Sequence, residues 1–150
     1  MPNRRAAVAM SGDETSEFLR NSKTGVLTTL GRDGWPHSVA MWFVVSDDDH
    51  LRMWTYRKSQ KVKNIVRDPR VAFLTETGTA YGELRGVLVR GEMRILEDLE
   101  EVRGIGIALN DRYVVPSKPD AAEDPSILEE IHRQARKRVG LELPLSRVTS

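Results

Sequence analysis

Apolar and polar positions along this chain repeat mostly with the period of β-structure. Leu51 to Tyr56 alternates Leu51, Met53 and Thr55 against Arg52, Trp54 and Tyr56, which places the two sets on opposite faces of a strand. Gly25 to Leu30 is a β-rich run, and the Asp-Gly of Gly31-Arg32-Asp33-Gly34 then signals a hairpin turn. Pro36 to Val45 has the apolar, β-branched content of a long strand, with proline at its tolerated first position. Ser46 to His50 is a turn with three aspartates, and Val71 to Thr75 is another strand. Glu83 to Leu96 is the longest strand candidate. Val87, Val89, Met93 and Ile95 share one of its faces unless a bulge intervenes, and Gly86 and Gly91 mark bends. Val139 to Val148 supplies a last strand.

Helical periodicity is confined to short segments. Asp13 or Thr15 caps a helix that holds Phe18 and Leu19 and ends near Asn21. Ser59 caps Gln60 to Arg67, which Asp68-Pro69 stops. Asp98 starts a helix to about Tyr113, and Ser126 to about Arg138 is amphipathic through Ile127, Leu128, Ile131 and Ala135. Val114 to Asp124 is a loop, and residues 1–12 form a loose arm. Six strands joined mostly by turns and interrupted by short helices favour a mainly β architecture, a small antiparallel barrel within one domain over residues 1–150.

Composition narrows the function classes. Charged residues make up 30% and hydrophobic residues 39% of 150 positions, the balance of a globular surface. A net charge of +1 argues against wholesale electrostatic binding to nucleic acid, so any basic function is local. The absence of cysteine excludes disulfides, thiol catalysis and Cys-based metal sites. His37, His50 and His132 share no metal-ligand spacing. The apolar run Ala6 to Met10 is too short for a signal sequence, and no stretch reaches membrane-spanning length, which reads as a cytoplasmic protein.

The informative chemistry lies after the third strand, in Arg57-Lys58-Ser59-Gln60-Lys61-Val62-Lys63-Asn64. Helix N-termini carry partial positive charge and unpaired N–H groups, so lysines in the first turn oppose the dipole. An anion at the helix start removes the conflict, with the N–H groups, the Ser59 hydroxyl and the lysines converging on it. Phosphate is the natural candidate. At about 100° per residue, Val62, Ile65 and Val66 form the buried stripe, and Lys61 and Asn64 share one flank. Lys63 and Arg67 fall on the more exposed side, which makes Lys61 the better phosphate ligand. The same residues also suit a basic surface helix satisfied by solvent or nearby acids. Trp42 and Trp54, on neighbouring strands, suit either the apolar walls of a planar cofactor or the core.

The run Thr55 through Pro69 resembles the phosphate-binding segment of the pyridoxamine 5′-phosphate oxidase-like split-barrel superfamily. Thr55 ends a strand, Ser59 and Lys61 open a short helix, and Asp68-Pro69-Arg70-Val71 leads into the next strand. The similarity extends back through Gly25 to Leu30, Asp33-Gly34, Pro36 and Trp42-Phe43, and forward through Glu83 to Gly91. The resemblance implies a six-stranded split β-barrel, a homodimer with cofactor sites at its interface, and a place nearest the flavin/deazaflavin-dependent reductases that use coenzyme F420 or FMN. The pyridoxamine phosphate oxidases carry Arg-x-x-Leu-Leu-Lys on the second strand. Val39-Ala40-Met41-Trp42-Phe43-Val44 lacks both basic residues, which argues against vitamin B6 oxidation and favours F420 over FMN. Carried over by position, Ser59, Gln60 and Lys61 take the cofactor phosphate. Met41, Trp42, Trp54 and Thr55 flank the ring, and Asn64 assists from the helix. The implied activity is hydride transfer to a small electron-poor acceptor. A flavin- or haem-type tetrapyrrole-binding carrier on the same fold is the alternative.

Overall fold

The computed structural model describes residues 8–150. Its strands form two antiparallel sheets. The first runs in the order β2-β1-β5-β6-β9, from β1 (Gly25–Leu30), β2 (Pro36–Met41), β5 (Arg70–Thr77), β6 (Arg85–Glu92) and β9 (Val148–Thr149). The second runs β3-β4-β8-β7, from β3 (Val44–Val45), β4 (His50–Tyr56), β7 (Arg94–Leu96) and β8 (Arg138–Pro144). Only Trp42-Phe43 separates β2 from β3, and only Met93 separates β6 from β7. Each of these two long strands therefore begins in one sheet and ends in the other. The pairings β2–β1–β5–β6 and β7–β8–β4–β3 are joined at both ends, so six strands close a circuit, the split barrel.

The core follows from the alternation. Leu27, Leu51, Met53, Phe73, Val87, Val89, Leu141 and Leu143 are fully buried between the sheets, and Phe43 meets Phe73 edge-to-face at 4.9 Å. Each such side chain contributes about 1.5–3 kcal/mol by leaving water. Met93 is buried and Ile95 packs against the same cluster, so the face expected for the longest strand survives its bend. Gly34 takes φ +84° in the β1–β2 turn, where the Gly34 N–H donates to the Gly31 carbonyl at 3.0 Å.

Among the described residues four α-helices accompany the strands: α1 (Gly12–Asn21), α2 (Gln60–Arg67), α3 (Leu99–Tyr113) and α4 (Pro125–Ala135). Asp98 caps α3 as expected, its carboxylate accepting from the Glu101 amide at 3.1 Å. The cap of α1 is Ser11 and not Asp13 or Thr15, because Ser11 and Glu14 form a reciprocal capping box. Of the arm expected over residues 1–12, residues 1–7 lie outside those described, while Ser11 and Gly12 already belong to this helix. Helix α4 ends at Ala135, short of Arg138, which pairs in β8. The last strand stops at Pro144, and β9 then returns to pair with β6.

Helix α2 departs from the expected stripe. Val66 is 71% exposed, whereas Asn64 is 1% exposed beside Val62 and Ile65. Positions 64 and 66 lie about 200° apart on a helix, so a two-turn helix buries one or the other. Asn64 wins because its amide has a partner inside, donating to the Thr29 hydroxyl of β1 at 3.0 Å.

Candidate anion and cofactor site

Helix α2 enters where the barrel opens. β3 pairs with β4 at Val44–Arg52 and Val45–Leu51. Continued backwards, that register would set Trp42 across from Trp54 and Met41 across from Thr55. The strands instead part at Trp42-Phe43, and α2 fills the gap from the end of β4 to β1. Met41 and Trp42 lie at and just after the end of β2, Trp54 and Thr55 near the end of β4, and Ser59 to Asn64 at the start of α2.

At the helix start, Ser59 holds the N-cap position with extended backbone, yet its hydroxyl makes no bond to the helix and is buried without a partner. The first turn contains no acid. Lys61 donates from Nζ to the Thr55 hydroxyl at 2.8 Å. Burial, and then the nearby charge of Arg138, lower the pKa of Lys61 from its ordinary value. Among the described residues Lys61 takes part in no salt bridge. An orphaned hydroxyl, free helix N–H groups and a partly desolvated ammonium without a counter-ion fit a phosphoryl group.

The other candidates divide by role. Gln60 is exposed and donates to the Asn64 side-chain oxygen at 2.9 Å, and Arg67 approaches that oxygen at 3.4 Å. Asn64 is therefore spent within the chain and fixes α2 on β1. Thr55 faces the core, 4% exposed. Trp54 lies on the opposite face of β4, against α3, where a Cβ on Gly106 would stand only 2.4 Å from its ring. Only glycine allows that approach. Met41 packs on the main core cluster. Trp42 is 54% exposed and stacks on Tyr113 at 4.4 Å with 6° between the rings. Of the two tryptophans, Trp42 offers a ring to solvent, and Trp54 packs beneath a helix.

Three residues here escaped the sequence reading. Arg138 lies over the rings of Tyr56 (4.1 Å) and Trp54 (4.7 Å), and its Nε is buried without a partner. Tyr113 fastens the strand break, its hydroxyl donating to the Phe43 carbonyl at 2.9 Å and accepting from the Phe43 amide at 3.1 Å. Arg112 donates to that carbonyl at 2.5 Å and to the carbonyls of Leu19, Arg20 and Ser22 at the end of α1. None is near α2 in sequence; strand pairing brings Arg138 to Tyr56, and the packing of α3 brings Arg112 and Tyr113 to Phe43.

A groove of about 870 Å³ opens elsewhere, lined by Val44, His50, Arg52, Arg94, Leu96 and Glu142 among others. Its central charges already satisfy one another: Glu142, 4% exposed, accepts from Arg52 Nε at 2.8 Å and Arg94 Nη1 at 2.9 Å. The cradle at α2, with unmatched donors, is the better anion site.

Comparison with known proteins agrees with the fold. The F420H(2)-dependent biliverdin reductase of Mycobacterium tuberculosis is 30% identical over 105 residues, covering 69% of this chain and 73% of that protein. The crystal structure of a conserved hypothetical protein from the same species superposes with a TM-score of 0.85 at 38% identity, over 96% of this chain and 86% of the other. A structure described as an F420 reductase gives 0.65 at 28% identity, over 89% and 94%. The model of the family described as pyridoxamine 5′-phosphate oxidase matches residues 11–142, and the chain therefore belongs to the pyridoxamine 5′-phosphate oxidase-like superfamily of flavin and F420 oxidoreductases.

Proposed function

We propose that this chain is an F420-dependent reductase, with FMN as the alternative cofactor, that passes hydride to a small electron-poor organic acceptor. One observation carries the reading: the buried, unpartnered Ser59 hydroxyl beside Lys61 at a helix start free of acids. When bound, the coenzyme supplies the hydride chemistry, and the protein supplies binding and orientation. Ser59, Gln60, Lys61 and the first N–H groups of α2 hold the phosphate. Thr55 fixes the Lys61 ammonium, and Asn64 keeps the helix seated. Met41 and Trp42 border the ring, with Trp42 supplying the accessible aromatic face, while Trp54, packed beneath α3, supports the end of β4 from the other side. Preference for F420 over FMN is supported by the missing basic pair in Val39 to Val44 and by the relatives described as F420-dependent. The protein acts as a cytoplasmic homodimer. Support for pairing comes from the outer face of the first sheet, where Ala40, Val26, Leu74 and Leu88 adjoin in register as an apolar row.

The deciding experiment titrates F420 and FMN into the protein and into Lys61→Ala. The variant is expected to lose about 1.5–3 kcal/mol of affinity, the value of a charge-assisted hydrogen bond. Bound reduced F420 is then mixed in stopped flow with a panel of enones, quinones and tetrapyrroles. Binding without turnover of any acceptor favours the carrier, a Soret band with added haem favours a tetrapyrrole carrier, and no binding of either coenzyme ends the proposal.

A further inference from the structure

The apolar outer face of the first sheet extends past the row Ala40–Val26–Leu74–Leu88 at both margins. On β6, Leu88, Gly86 and Leu84 alternate onto that face and lead into the turn between β5 and β6. Leu84 is exposed, and Tyr81 in the turn is 92% exposed. At the other margin Trp42 follows Ala40 by two positions and continues the same alternation beyond β2. The two margins share an end. Met41 pairs with Gly25 and Val26 with Leu74, so β2 finishes where β5 enters its turn.

The turn is fixed. Gly78 takes φ +104°, and a Cβ there would stand 2.4 Å from the Glu83 carbonyl oxygen. Tyr81–Glu83 then makes one turn of 3-10 helix, closed by the Glu83 amide donating to the Ala80 carbonyl at 2.9 Å. A side chain as exposed as Tyr81 packs against nothing in its own chain, its own Trp42 included. An aromatic ring presented this way docks with little ordering cost.

Two such faces meet about either of two axes. An axis across the strands sets Tyr81 and Leu84 against the far end of the partner's β5 and β6, where Arg70, Arg90 and Glu92 are exposed. An axis along the strands, between β1 and β5, keeps like ends together and reverses the strand order, so β6 of one copy covers β2 of the other. Leu88 then meets the partner's Ala40, and the turn meets the partner's Trp42. Glu76, on β5 beside the turn, comes over the foot of the partner's β1 near Lys23. Lys23 belongs to the same corner, its Nζ 5.7 Å from the Tyr113 ring on which Trp42 stacks. Among the described residues neither Glu76 nor Lys23 takes part in a salt bridge.

We propose that two copies pair about the axis along the strands, and that Tyr81 of each lies against the partner's Trp42 as a second aromatic wall of the site. The inference rests on Trp42 bordering the coenzyme ring. It adds that the site is incomplete in one chain, since Trp42 offers one wall and a planar ligand has two faces to bury. A slot between two aromatic rings suits flat conjugated molecules, which narrows the acceptor to that class.

The chain has no cysteine, so Tyr81→Cys and Trp42→Cys each carry a single thiol. The two variants are co-expressed and treated with a short bismaleimide, without coenzyme. A cross-linked dimer is expected from the mixture and not from either variant alone, because like positions stand at opposite margins of the contact. Circular dichroism checks each fold. Tyr81→Ala should weaken F420 or FMN by about two- to tenfold, the range of one aromatic contact, and leave orthophosphate affinity unchanged; Tyr81→Phe should restore most of the loss. Co-expressed Lys61→Ala and Tyr81→Ala chains should regain wild-type affinity at one site of each mixed dimer, where Lys61 of one chain meets Tyr81 of the other. No cross-link between folded variants, a monomeric wild type, or unchanged coenzyme affinity in folded Tyr81→Ala overturns this inference and leaves the cradle standing. Wild-type protein that takes neither coenzyme nor orthophosphate sinks the cradle, and the role of Tyr81 with it.

Discussion

Ser59 separates stability from binding within a single hydroxyl. An N-cap serine ordinarily bonds an N–H of the first turn, and its replacement by alanine costs about 1 kcal/mol. Here the hydroxyl makes no such bond. Ser59→Ala is therefore expected to change the stability of the unliganded protein by less than about 0.5 kcal/mol, yet to weaken phosphate-bearing ligands by about 0.5–1.5 kcal/mol, one ordinary hydrogen bond. Urea denaturation with and without ligand reads both quantities, and a full capping loss in the free protein would mean that the hydroxyl serves the helix. Ser59 and Lys61 were legible in the sequence because the conflict between cations and a helix dipole is local. Arg138 was not, since an arginine before a valine and a glycine carries no signal until β8 pairs with β4. Asn64 was expected on the flank it shares with Lys61, outside the buried stripe, and the structure buries it in place of Val66. That it would turn inward depended on a threonine 35 positions away.

The same distinction between local and distant causes governs the elements. Caps and stops made by neighbours, such as Asp98 and Asp68-Pro69, set the bounds of α2 and α3 where the sequence put them. The breaks at Trp42-Phe43 and Met93 arise because two strands must each serve both sheets, a demand of barrel closure that no window of sequence contains. Arg112 shows what holds one break in place. It ties the last carbonyls of α1 and the carbonyl of Phe43 to the end of α3, and lies 4.5 Å from the Phe43 ring. Removing it leaves several carbonyls without a donor, so Arg112→Ala is expected to cost about 2–3 kcal/mol, the upper range for hydrogen bonds to a charged group. The corner that carries Trp42 and its stack on Tyr113 should loosen as well. Denaturation midpoints and the near-ultraviolet circular dichroism of the aromatic residues measure the two effects. Lost stability with an unaltered aromatic spectrum would show that Tyr113 alone positions Trp42.

At the scale of the molecule, the first sheet has one face in the core and an outer face that, among the described residues, leaves Val26 and Leu74 exposed. Phe73 and Thr75 point inward, 0% and 1% exposed, whereas Leu74 between them is 42% exposed and Val26 beside it 38%. A five-stranded sheet with a continuous apolar row on its outer face is a surface that pairing with a second copy would remove from water. A stable dimer buries about 1,600 Å² in total, within reach of one such face on each subunit. Leu74→Glu puts like charges near the centre of that contact while leaving the inward side chains untouched. The folded monomer should tolerate it within about 0.5 kcal/mol, as surface substitutions generally are. Light scattering on a sizing column is expected to report a dimer for the wild type and a monomer for the variant, with unchanged far-ultraviolet circular dichroism. If each cofactor site draws on both subunits, F420 affinity falls with the dimer and returns at protein concentrations that force reassociation. Affinity that survives in the monomer would place the whole site within one chain, and the cradle at α2 would then have to hold the coenzyme by its phosphate and Trp42 alone.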